Sequence, residues 1–77
     1  MNAKDWIAAY ADRLGVEPPS ADEFSAILDL AAEAAHASER VAAPVACWLS
    51  AKAGRSLDES LVLAREVSAA PERGGEE

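Results

Sequence analysis

The helix-breaking residues of this chain stand at few places: Gly15 with Pro18 and Pro19, Pro44, Gly54, and a tail that holds Pro71, Gly74 and Gly75. Proline interrupts a helix interior and glycine is the usual residue just past a helix end, so these positions cut the sequence into four segments, each to be read on its own period. All four segments repeat their apolar residues at three- and four-residue intervals, and none shows the alternation of a strand. The fold class this predicts is all-α, a compact four-helix domain over residues 1–70 with a short disordered tail, PERGGEE, at 71–77.

In the first segment Ala3, Trp6, Ile7, Tyr10 and Leu14 share one side, with Asn2 placed to cap the start and Gly15 to end it. The second opens with Ser20 followed by Glu23, the spacing of a capping box, and carries Phe24, Ile27, Leu28, Ala31, Ala34 and Ala35 on its buried face, running to about Arg40. Pro44 suits the first turn of the third, where its missing N–H costs nothing. Ser56 with Glu59 repeats the box, and Leu57, Leu61, Ala64 and Val67 mark the inner face of the fourth.

The third segment is apolar almost all round. Val45, Trp48 and Leu49 make one side and the small residues Ala43, Cys47, Ser50 and Gly54 the other, with no charge before Lys52. Such a helix is expected at the centre of the bundle, touched by neighbours on both sides. Trp6 and Trp48 then pack in the core, or serve as indole anchors at a protein interface.

The core available to these helices is thin. Alanine supplies 19 of the 39 hydrophobic residues, and each alanine buries little area at roughly 25 cal/mol per Å². Small apolar volume in a 77-residue chain makes self-association or docking on a partner an economical way to complete the fold. Seven basic against fourteen acidic residues give a net charge of −7, which argues against nucleic acid or an anionic membrane as the ligand. A lone Cys47 excludes an internal disulfide and fits a reducing cytoplasm. The N-terminal stretch carries charges within its apolar pattern, unlike a signal peptide, and the uncharged run Val41 to Ala51 is too short to span a bilayer.

One polar line stands out. On a helical wheel Asp22, Asp29, Glu33, His36 and Arg40 fall within a sector of about 60°, opposite the side of Ile27, Ala31 and Ala34. The plainest account is a solvated face, with Glu33 reaching His36 and Arg40 favoured near a helix C-terminus. A second has His36 or Arg40 bonding the carbonyls left open where the helix stops. A third is metal binding, because Glu33-x-x-His36 has the ligand spacing of di-iron carboxylate bundles; with a single histidine in the chain, only a homodimer could complete that set. Asp29 and Glu33 are like charges four apart, a mildly destabilising arrangement that a purely structural helix has no evident reason to keep. Catalysis by this chain alone is not expected: Cys47 and His36 fall on different faces, and no glycine-rich phosphate loop is present. No cofactor or metal is expected.

The order W-I-x-x-Y-A-x-x-L-G from Trp6, then L-D-L-A-x-x-x-A-H-x-x-x-R-x-A-A-P from Leu28 and A-G-R at Ala53, resembles a small actinobacterial domain family of unknown function. That family occurs alone and as an appendage on the molybdenum cofactor guanylyltransferase. The resemblance rests most on Asp29, His36, Arg40, Ala43 and Pro44. It implies a non-catalytic accessory role in molybdopterin guanine dinucleotide synthesis or in maturation of the enzymes that receive this cofactor. The contact residues would be Asp29, Glu33, His36, Arg40 and Trp48, with the guanylyltransferase or another molybdenum-cofactor enzyme as partner and a homodimer as the competing assembly. Arg40 would pair with a carboxylate or phosphate, and the imidazole would make binding respond to pH.

Overall fold

A computed structural model describes residues 1–70, and the segment expected to form the tail, 71–77, lies outside the described residues. Four helices follow in order: α1 (Ala3–Leu14), α2 (Ala21–Ala37), α3 (Ala42–Ala53) and α4 (Leu57–Ala69), with no strand among the described residues.

Their ends are set locally by the residues the sequence places there. The Asn2 side chain accepts the Asp5 amide at 2.8 Å, and Gly15 takes the left-handed conformation (φ 80°), which lets the Val16 amide reach back to the Ala11 carbonyl. At α2 the capping box closes in both directions: Ser20 Oγ accepts from the Glu23 amide, and the Glu23 carboxylate accepts from the Ser20 amide. The box expected at α4 is only half made. Ser56 Oγ accepts the Glu59 amide, while the Glu59 carboxylate lies 3.5 Å from the Arg55 guanidinium.

Helix α2 ends at Ala37, short of the expected Arg40. Ser38 leaves helical geometry (φ −140°, ψ −95°) and its hydroxyl donates to the Ala34 carbonyl, after which residues 39–41 turn into α3. A serine that bonds the carbonyl four residues back offers the backbone an alternative to a further helical turn.

The packing corrects the sequence reading on one main point: the central helix is α2, which packs against both α3 and α4, and no other pair of helices packs comparably. Leu30 of α2, only 2% exposed, is the most deeply buried side chain, although it was not among the residues expected to face the core. A helix held on two sides buries a wide arc, and Leu30 falls inside that arc beside the narrower predicted stripe. Leu28, expected in the core, is instead exposed on the far side, and Val67 of α4 is 77% exposed. The buried side of α4 runs through Leu57, Ser60, Leu61 and Ala64.

Helix α3 is turned the opposite way from an ordinary amphipathic helix. Its small residues Ala42, Ala43, Ala46, Cys47 and Ser50 are the half-buried ones, while Val45, Trp48 and Leu49 are each more than half exposed. The reason is steric: α2 offers Ala31, Ala34 and Ala35, and two helices lined with alanine and serine approach closely only through those small sides. The large side chains of α3 are thereby left outside. Trp6 on α1 is likewise exposed, its ring 5.0 Å from that of Tyr10, so neither tryptophan is a core residue.

Candidate functional site

The polar line rests on α2, which is continuous from Ala21 to Ala37, and the helix therefore holds Asp22, Asp29 and His36 on one exposed side. Glu33 sits at the border of that side. Its side chain is 26% exposed and its carboxylate lies 3.9 Å from the Arg65 guanidinium of α4, so it faces α4 while still reaching solvent. Arg40 lies beyond the helix end, exposed in the turn before α3, and its place is fixed by that turn and not by the helical wheel. Trp48 is separate from the line: it stands on the side of α3 turned away from α2, with the Lys52 ammonium 4.8 Å above its ring.

Sequence reasoning missed a second feature on the same side of α2. Between α1 and the start of α2 lies a groove of about 510 Å³, lined by Ile7, Pro18, Pro19, Phe24 and Leu28 with Lys4 at its rim. The two prolines hold the α1–α2 connection extended and set α1 off from α2. Leu28 lines the groove and is exposed, while Asp29, the next residue, stands about 100° further round α2 and is also exposed. The signal in the sequence was the proline pair flanked by apolar residues of two helices, which the helical wheel treats separately.

The chemistry on offer is that of contact. Among the described residues no three His, Cys, Asp or Glu side chains come together to hold a metal ion. His36 is exposed, and Glu33 looks toward a guanidinium, so the Glu-x-x-His pair does not face a bundle interior as bridging metal ligands do. Cys47 is half-buried against the α2 side of α3, and its burial pushes the thiol pKa up, away from the thiolate a nucleophile needs. No helix of the described residues is long and apolar enough to cross a membrane.

These features define a small all-helical domain with polar and apolar surface exposed side by side. A family model described as a domain of unknown function (DUF6457) matches residues 1–73, and the chain belongs to that family. No curated protein and no solved structure matches it.

Proposed function

We propose that this chain is a non-catalytic docking domain that works by binding another protein. One observation carries the reading: of its 19 large apolar side chains, 13 are exposed, among them Trp6, Tyr10, Leu28, Trp48 and Leu49. Single exposed apolar residues are ordinary on a soluble protein, but exposure of most of the large ones leaves faces that a partner would cover.

The heterologous surface is the exposed side of α2, where the groove at Ile7, Phe24 and Leu28 takes an apolar anchor and Asp29, Glu33, His36 and Arg40 set its orientation by charge. Acidic groups on the same helix as an apolar groove select a partner face that carries basic residues around an apolar anchor, while Arg40 donates to a carboxylate or phosphate in bidentate geometry. The partner we propose is the molybdenum cofactor guanylyltransferase or an enzyme that receives its product. Support for this choice is the resemblance carried by Asp29, His36, Arg40, Ala43 and Pro44.

Calorimetric titration of the chain into purified guanylyltransferase tests both parts. Binding that weakens at least about tenfold in Arg40→Ala, a loss of 1.4 kcal/mol, is the expected result. Absence of binding by the wild-type chain removes this partner, and equal affinity of the variant removes the polar line.

A further inference from the structure

We infer that the outward face of α3, formed by Val45, Trp48 and Leu49, is covered by a second copy of this chain, so that the protein is a homodimer whose two α3 helices meet.

The first argument is exposure. Val45, Trp48 and Leu49 lie on one side of α3 and are each more than half exposed, while the small residues of the helix are the half-buried ones. Large apolar side chains that the chain's own fold leaves in water give association its driving force.

The second argument is charge. With a net charge of −7, two copies repel one another wherever acids face acids. The stretch Val41–Ala51 holds no charged residue, and the one charge of α3, Lys52, is folded over the Trp48 ring. Two acidic copies can therefore approach through α3 without opposing carboxylates. A basic partner, in contrast, finds nothing on this face to pair with, and its natural target is the acidic side of α2. An apolar face free of carboxylates is matched by another of its kind, and a two-fold axis supplies one automatically. Trp48, at the middle of the face, is the kind of large aromatic that dominates such contacts.

The face lies on a different helix from Asp29, Glu33 and His36 and does not include Arg40, so dimerisation stands whether or not the molybdenum-cofactor partner does. Sedimentation equilibrium of the full chain, across a dilution series centred at about 10 μM, reads the result directly. The expected mass is about twice 8.1 kDa at the upper end, falling toward the monomer on dilution. Trp48→Glu is expected to shift the series at least about tenfold toward monomer with helical circular dichroism unchanged, because residue 48 is 60% exposed within one copy. Val67→Glu, on α4, is expected to leave the mass unaltered. A wild-type chain that stays monomeric throughout overturns the inference, as does a Trp48→Glu variant that dimerises like the wild type. Should Trp48→Glu lose helicity, Val45→Lys replaces it with the same two outcomes, and the wild-type series stands without either variant.

Discussion

Glu33 on α2 and Arg65 on α4 face each other across 3.9 Å, the one ion pair among the described residues that joins two helices. It places a member of the polar line at the seam of the fold. A partner that draws on the Glu33 carboxylate must therefore compete with Arg65 for it.

Arg65→Ala is expected to lower the unfolding free energy by less than about 1 kcal/mol, since the guanidinium is well exposed and such pairs are weak in water. Urea denaturation checks this. A drop well beyond that value would mean that the pair, and not the apolar seam, holds α4 in place.

Leu30→Ala is expected to cost about 2–5 kcal/mol, the range for truncating a fully buried leucine. For a domain of this size that approaches the whole stability, which runs at about 0.05–0.15 kcal/mol per residue. Val67→Ala, by contrast, should change the urea midpoint by no more than about 0.5 kcal/mol equivalent. Equal effects at the two positions would contradict the observed packing of α2 and α4.

The two helix starts should respond differently to loss of their glutamates. Glu23→Ala removes the acceptor for the Ser20 amide, and a cost of about 1 kcal/mol is expected. Glu59→Ala removes only an exposed pair with Arg55, worth at most about 0.5 kcal/mol. Thermal melts followed by circular dichroism separate the two.

Amide hydrogens of α1 should exchange faster than those of α2, because α1 packs closely on no other helix while α2 is held by two. Exchange followed by nuclear magnetic resonance reads each amide. Protection of Tyr10 and Ala11 equal to that of Leu30 would show that α1 opens only with the whole fold.

Burial raises the Cys47 thiol, so the unfolded chain loses this proton at lower pH than the folded one. Stability from this group is therefore unchanged in acid and declines as pH climbs through the range of the unfolded thiol. Iodoacetamide at mildly alkaline pH should alkylate Cys47 more slowly in the native protein than in urea. Equal rates would place the thiol at the surface.

Most element positions were legible in the sequence because they are decided locally. Asn2, Gly15, Ser20 with Glu23, Gly54 and Ser56 act on backbone groups within a few residues, and each does so in the structure. The choice of central helix was not legible. Val45, Trp48 and Leu49 look like core residues on hydropathy, yet contact with α2 is decided by which sides of the two helices come closest, and alanine sides win. Leu30 and Leu28 exchanged roles for the related reason that a wheel drawn for one neighbour misplaces the arc buried between two. Within the candidate site, the shared exposed side of Asp29 and His36 follows from α2 alone, whereas the place of Arg40 depends on Ser38 ending the helix early. The Glu33–Arg65 approach depended on how α4 lies, which no short-range pattern encodes.

With its alanines inward and its tryptophan outward, α3 separates two jobs that most amphipathic helices combine. Residues that hold the helix to its own chain are not those it shows to the surroundings. Substitutions at Val45, Trp48 or Leu49 can therefore retune what the protein associates with while the fold beneath keeps its seams, giving this scaffold room to change allegiance without first having to be restabilised.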